Sequence, residues 1–479
     1  MKFHIQKCLR MLLIFGICLS LSAVGPVNTA KAEDPLMVTT FLDDFDETCD
    51  ATHCSLRDAI YIANEFPDAS TIVLPAGTYT LTRVGADDTG AEGDLDIFAD
   101  TVLSGAGAGQ TLVDAQAIGD RIFDIQNGSD VTISGISIAY GSQGQGGGIK
   151  CASSTLTLES VIVRQNTALS YGGGIYSDSC NLLIDHTWLG ANSASDGGGG
   201  IYLLNSELEI SESLISGNST EENRAGGGVY CDGSRLNITE SRLLDNVSGT
   251  GGGIYAIGAT TMVSLDRSLA AGNLAAVEGG GIAMLAGRSL TITNSTISGN
   301  AAITYGGGIN TRVVTSIAHS TITENVADAD SDNYGNAGGI FCYSTGCAAE
   351  LNQTIIAHNI DQNASPFHDC MLWGTGSLVS IGFNLVESTG NCVFDEDGDI
   401  IGLDPQLGPL RDNGGPTQTH ALMYGSPAID AGNPIAPPPV DQRGFTRPLD
   451  GDGNGIATCD IGAFETVRLW GSFLPLLLR

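Results

Sequence analysis

A Gly-Gly-Gly-aliphatic element recurs through the middle of the chain, ending at Ile149, Ile175, Ile201, Val229, Ile254, Ile282 and Ile309, with a shortened form ending at Ile340. Successive copies stand 26, 26, 28, 25, 28, 27 and 31 residues apart. Between them lies a second pattern: Ser or Thr, any residue, an apolar residue, two more residues, then Asn, as in Ser213–Asn218, Ser295–Asn300 and Ser320–Asn325. Asn192, Asn246, Asn273 and Asn359 hold the same place, and Asn166 reads as displaced by one residue. Apolar residues within the repeats alternate, as in Leu156/Leu158, Leu208/Ile210, Leu236/Ile238 and Leu290/Ile292. Alternation is the period of a strand and conflicts with a buried helix face. A fixed period of short strands and turns is the signature of a solenoid.

The fold expected is therefore all-β: a parallel β-helix of about twelve coils over residues 71–393, or ~55 Å at ~4.8 Å per coil, right-handed by the usual sense of parallel crossovers. The glycines would form corners that need positive φ or close backbone approach, and the aliphatic residue after them would point inward. The recurring Asn would take the left-handed bend and form an amide ladder from coil to coil. Glycosylation sequons such as Asn218-Ser219-Thr220 follow from that ladder.

At the N-terminus, Lys2, Lys7 and Arg10 precede an apolar run from Met11 to Val24, and Ala30-Lys31-Ala32 offers small residues for cleavage. Residues 1–32 read as an export signal, so a secreted or cell-surface location and disulfide pairing of the ten remaining cysteines are expected. The formal charge of −34 becomes −38 without that segment, which holds four basic and no acidic residues, and Lys150 is then the only lysine. Such a surface repels phosphates and anionic headgroups, which argues against nucleic acid and polybasic membrane binding.

Both ends of a solenoid need caps. Cys49-Asp50-Ala51-Thr52-His53-Cys54-Ser55-Leu56-Arg57-Asp58-Ala59-Ile60 reads as a loop leading into a helix over 55–64, with Ser55 as N-cap and Asp58 in a capping-box role. This stretch, with Thr71–Tyr79 after it, resembles the CSLREA domain of secreted bacterial β-helix proteins, with Asp58 where that name has Glu. Near the other end, Gly402-Leu403-Asp404-Pro405, Asn413-Gly414-Gly415-Pro416-Thr417, Ser426-Pro427-Ala428-Ile429-Asp430-Ala431-Gly432, Asp441-Gln442-Arg443-Gly444 and Asp460-Ile461-Gly462-Ala463-Phe464-Glu465 resemble the choice-of-anchor Q domain from about residue 350. The expected organisation is a cap over 33–70, the solenoid over 71–393, the C-terminal part of the choice-of-anchor-like region as a small domain over 394–466, and an apolar tail over 467–479. That tail is shorter than the ~20 residues of a spanning helix, so no transmembrane span is expected and it reads as a sorting or anchoring segment. The resemblance implies a surface or secreted location and no particular reaction.

Cys49–Cys54 and Cys342–Cys347 are expected from sequence proximity, and Cys370–Cys392 from proximity together with the resemblance. Adjacent coils leave Cys151–Cys180 open. Cys151 and Cys231 lie three coils apart, about 14 Å, beyond the ~7 Å limit for a bridge. Cys459 lacks the partner that relatives often carry before Asp441, because Ala436–Val440 holds no cysteine.

Polysaccharide lyases and hydrolases often use a β-helix, yet fold alone does not settle activity. The Asn-Thr-Asp and Gly-His-Gly motifs of polygalacturonase-like enzymes are missing from the repeats. Ile184-Asp185-His186 resembles a pectate-lyase stretch whose Arg-x-Pro-x-x-Arg partner is absent. Ca²⁺ is the cofactor considered. Asp450, Asp452 and Asn454 place oxygen ligands at alternate positions, as do Asp328, Asp330 and Asp332, and Asp395, Asp397 and Asp399 form a third set. The leading expectation is a monomeric, non-catalytic adhesion or surface-structure protein whose partners are extracellular polysaccharide or cell-surface components. The rivals are a polysaccharide lyase or hydrolase and a Ca²⁺-dependent glycan-binding module.

Overall fold

The computed structural model describes residues 35–467 apart from 67, 87–88, 332–334, 345, 363–367 and 436–437. The segment read as an export signal, the tail beyond Val467 and Asp332 lie outside the described residues. Each repeat folds into four short parallel strands, one per face. One coil runs Ile149–Ala152, Thr155–Glu159, Ile162–Arg164 and Thr167–Tyr171, and the next begins at Ile175–Asp178. Stacking the coils gives faces of 11, 13, 13 and 9 strands in that order among the described residues. The all-β parallel solenoid expected from the repeats is thus the observed fold.

The three glycines of each corner have separate causes. Gly172 sits at φ +69, where a side chain strains the backbone. A Cβ on Gly173 or Gly174 would stand 2.3 or 2.7 Å from a carbonyl of the next coil. The aliphatic residue that follows turns inward and stacks in register, Ile149 on Ile175, Ile201, Val229, Ile254, Ile282, Ile309 and Ile340. All eight are fully buried.

The asparagine ladder forms, with two differences from the sequence reading. Asn166 stands in line with the others: its backbone N–H and its Nδ2 both donate to Asn192 Oδ1 at 3.0 Å. The left-handed residue is the one before each Asn, such as Gln165, Ala191, Gly217 and Asp245, and not the Asn itself. The amide is needed because it is buried beside main chain that turns a corner: Asn192 Nδ2 also donates to Val163 O at 3.0 Å. The ladder continues through Asn325 and Asn359 and ends on a carboxylate, Asp369 Oδ1, at 2.9 Å from Asn359 Nδ2. A parallel hydroxyl ladder explains the Ser or Thr of the repeat, since Ser213, Ser241, Ser268, Ser295 and Ser320 each accept the backbone N–H of the preceding coil.

The N-terminal helix spans Leu56–Glu65, and Ser55 Oγ accepts Asp58 N at 3.0 Å. Cystine bridges join Cys49–Cys54, Cys151–Cys180, Cys342–Cys347 and Cys370–Cys392, while Cys231 and Cys459 are free and buried. Cys231 points into the core between Leu203 and Ala256, and burial pushes its thiol up to about 12.

Past Gly402 the described residues make only isolated antiparallel bridges and lie along the third face of the solenoid. Gln442 Nε2 reaches Ser268 O at 3.2 Å, Ser298 Oγ meets His420 Nε2 at 2.8 Å, and Ala463 N donates to Thr321 Oγ1 at 3.1 Å. Outward residues covered this way, Thr296, Ser298, Thr321 and Thr323, are buried, whereas Ile162 and Arg164 on an uncovered coil are half-buried. A second apolar core of Ile355, Ala357 and Leu385 with Leu422, Ala428, Ile461 and Phe464 seals the contact.

If the inward column carries the fold, Ile254→Ala and Ile282→Ala should each cost about 2–5 kcal/mol, and Glu209→Ala, exposed on the second face, under about 0.5 kcal/mol. Urea denaturation of the three variants tests this, and equal losses would contradict the register.

Candidate functional site

The register that stacks the core also stacks what faces outward. On the first face the residue after each inward aliphatic forms a column: Asp96, Asp124, Lys150, Tyr176, Tyr202, Tyr230 and Tyr255. The tyrosine rings pile on one another, with centroids 5.5, 4.6 and 4.8 Å apart in order, and Tyr171 adds a ring 4.6 Å from Tyr202 at the corner. These separations lie within the favourable range for aromatic pairs. Burial raises the hydroxyl values of Tyr176, Tyr202, Tyr230 and Tyr255, so all four remain protonated donors near neutral pH.

Three carboxylates close the N-terminal end of the column. Asp94, Asp96 and Asp124 are buried, and each offers an oxygen within 4.8 Å of the others. Arg121 Nη1 donates to Asp94 Oδ2 at 2.9 Å and to Asp124 Oδ2 at 2.6 Å, while Lys150 Nζ donates to Asp124 Oδ2 at 2.9 Å. The N-terminal helix supports this end: Arg57 donates to the carbonyls of Gly90, Gly93 and Asp94, and Asn64 Nδ2 donates to Asp96 O. Burial pushes Asp94 up from 3.8 to about 7, with Arg121 opposing and Asp120 and Asp124 adding to the rise.

Sequence reasoning missed this column, although its signal was present. Reading one residue past each inward apolar residue, at Leu95-Asp96, Phe123-Asp124, Ile149-Lys150 and Ile175-Tyr176, gives it directly.

The acidic residues expected from the sequence have other fates. Asp450 and Asp452 come together with Asp430, which the sequence reading had placed only within a motif. Asn454 stands beside them, its Nδ2 donating to Asp452 Oδ2 at 3.0 Å and its Oδ1 accepting Ile456 N at 2.7 Å. The loop is pinned by its own amides: Asp430 accepts Gly451 N and Asp452 N at 3.1 and 2.6 Å, and Asp450 accepts Gly453 N and Gly455 N at 2.7 and 3.1 Å. Burial, with Asp452 nearby, raises Asp430. A groove of about 750 Å³ opens beside it, lined by Leu422, Tyr424, Ile429, Asp452 and Thr466.

Asp328 is buried and Asp330 exposed, and no grouping of three ligand residues forms around them among the described residues. Asp395 and Asp397 are exposed. Asp399 ends a ladder, its Oδ1 accepting Asn384 N at 2.8 Å. Asp185 and His186 pair at 2.7 Å on an exposed corner, with Glu212 3.1 Å from the other ring nitrogen.

No protein-family model matches the chain, and no curated protein does. Among solved structures it is similar to pectate lyase Pel9A (TM-score 0.42, 14% identity, covering 83% of this chain and 88% of that one). It is also similar to the A-module of the Azotobacter vinelandii mannuronan C-5 epimerase AlgE4 (TM-score 0.40, 13% identity, 73% and 94%). A third is the catalytic domain of a GH87 α-1,3-glucanase in complex with nigerose (TM-score 0.36, 12% identity, 71% and 68%). Likeness at this level assigns no activity to this chain.

A carboxyl with a raised native value contributes stability fully below its unfolded value near 3.8 and loses it as pH rises toward about 7. Asp94→Asn should therefore gain stability relative to the parent at pH 8 and not at pH 4. Denaturant midpoints at the two pH values measure this, and a gain of equal size at both would contradict it.

Proposed function

We propose that this is a secreted or cell-surface β-helix that binds an extracellular polysaccharide along its first face, serving adhesion or surface structure without turning the glycan over. The observation that carries this reading is the outer column. Four of the chain's twelve tyrosines occupy consecutive coils of one face, in line with Lys150 and the buried acids. Tyr176 and Tyr202 are buried in the row and Tyr230 and Tyr255 are half-buried; the half-buried rings, 4.8 Å apart, suit an extended polymer of hydroxyl-rich sugar units. The export signal, the cystine bridges and the resemblance of both ends to secreted surface proteins support the location. No helix among the described residues is long and apolar enough to cross a membrane.

The same column favours one second reading, a lyase or hydrolase, because it sets an amine beside carboxylates able to hold a cation. Against that reading, the Lys150 ammonium is committed to Asp124 at 2.9 Å. Affinity electrophoresis against a polysaccharide panel, run with assays for reducing ends and unsaturated products, separates the two. Binding without product is expected, with Tyr230→Ala and Tyr255→Ala each weakening it by about tenfold, ~1.4 kcal/mol. Product formation would favour the enzyme, and absence of any binding would remove the glycan reading.

Ca²⁺ at Asp430, Asp450 and Asp452 belongs to the proposal as a stabiliser of the C-terminal segment. A ligand that binds only the native state stabilises by RT ln(1 + [L]/Kd), and a protein of strong negative charge gains further by relief of repulsion. Millimolar Ca²⁺ should raise the melting temperature, Mg²⁺ should do so less, and Asp452→Ala should remove most of the rise while Asp185→Ala keeps it. Calorimetry showing equal effects of the two ions would leave the loop a solvated turn.

A further inference from the structure

The N-terminal cap holds a grouping unlike the acidic sets above, because a histidine stands at its centre. His53 Nε2 lies 4.0 Å from Asp44 Oδ2, 3.8 Å from Asp46 Oδ2 and 4.0 Å from Asp58 Oδ2. These distances are too long for hydrogen bonds. Ligand atoms of His53, Asp46 and Asp58 all lie within 4.8 Å of one another, and ligands around a tetrahedral cation at 2.0–2.1 Å stand about 3.4 Å apart, so these three can close onto an ion with small movements.

Asp58 supplies an independent reason. The residue is fully buried, and the donor to its Oδ2 is Ser55 Oγ at 2.7 Å. Ser55 has one proton, and Asp44 O claims it at the same 2.7 Å. A buried carboxylate oxygen that shares one hydroxyl proton and faces an imidazole nitrogen calls for a positive partner. The other Asp58 oxygen is committed, accepting Asp46 N and Glu47 N at 2.9 and 3.1 Å.

The surrounding chain is built to hold the ligands. Asp46 Oδ1 is occupied by Thr48 N and Oγ1, which leaves Oδ2 toward His53. The Cys49–Cys54 bridge closes the turn that carries His53, and Asp50 Oδ1 fixes it by accepting Thr52 N and His53 N at 2.7 and 3.0 Å. Arg57 clamps neighbouring Asp43 through Nε–Oδ1 at 2.7 Å.

The geometry points to a divalent transition-metal site at the cap, with His53 and the carboxylates of Asp46 and Asp58 as ligands. One imidazole nitrogen with two carboxylate oxygens suits Zn²⁺ and its neighbours, whereas Ca²⁺ takes oxygen alone. The ion ties the loop at 44–58 to the first turn of the helix, which closes the start of the solenoid where its strand edge would otherwise open.

The test uses the full mature chain, stripped with chelator and titrated with Co²⁺ and Zn²⁺. One equivalent of Co²⁺ should give the visible absorption of a tetrahedral nitrogen–oxygen site, Zn²⁺ should displace it, and millimolar Ca²⁺ should not. Zn²⁺ should raise the melting temperature of the parent by several degrees and leave His53→Gln and the more exposed Asp46→Asn unmoved, with all three melting alike in chelator. No Zn²⁺-dependent shift in the parent, or a shift of equal size in both variants, overturns the assignment.

Discussion

Everything in this molecule depends on one coil lying directly on the next at the spacing of a hydrogen-bonded sheet. That spacing admits no Cβ at the corner glycines, since one added to Gly173 would meet a carbonyl at 2.3 Å. It also requires that whatever one coil buries, the next must match. Isoleucine on isoleucine meets the demand for apolar side chains, and asparagine on asparagine meets it for an amide, which donates and accepts at once and so extends a ladder without leaving a buried polar atom alone. The ladder can stop only where the last acceptor needs no partner of its own, and Asp369 ends it by accepting from Asn359 and Ser388.

The same constraint produces the surface. A residue type repeated at one outward position becomes a stripe along the axis, so the tyrosine run of the first face follows from the register as directly as the isoleucine core. Where the stripe changes from tyrosine to lysine to aspartate, the surface changes from aromatic to charged within two coils. The third face shows the converse: small hydroxyl residues at its outward positions let the C-terminal segment lie flat against it, and the choice of Thr296, Ser298 and Thr321 records that contact.

Local periodic features were legible in the sequence and distant ones were not. Glycine spacing and alternation gave the solenoid, and the Ser-x-apolar-x-x-Asn pattern gave the ladder, because each repeats in every coil. The left-handed bend was assigned to Asn when it belongs to the residue before, whose identity varies from Gln165 to Ala191 to Gly217 and so leaves no pattern. Asp430 could not be joined to Asp450 and Asp452 from spacing, since the turn that brings them together depends on main-chain donors of one segment reaching side chains of another. Asp96 and Asp124 were within reach of a columnar reading, yet no alternation of Asp with Gly marked them as ligands. The path of the C-terminal segment along the side of the solenoid rests on contacts between residues more than a hundred positions apart, such as Thr296 with Gln442.

Coil register is the claim on which core, ladders and tyrosine column all stand, and paired cysteines test it most directly. Glu209 and Asn237 face outward and are paired in register on adjacent coils of the second face, about 4.8 Å apart, within range of a cystine bridge. Glu209 and Thr239 are displaced by two residues along the strand, about 8 Å apart. Mild oxidation of Glu209→Cys/Asn237→Cys, followed by peptide mapping, should yield an intramolecular bridge, and Glu209→Cys/Thr239→Cys should not. Bridging in the displaced pair and none in the matched pair would contradict the register and with it the tyrosine column.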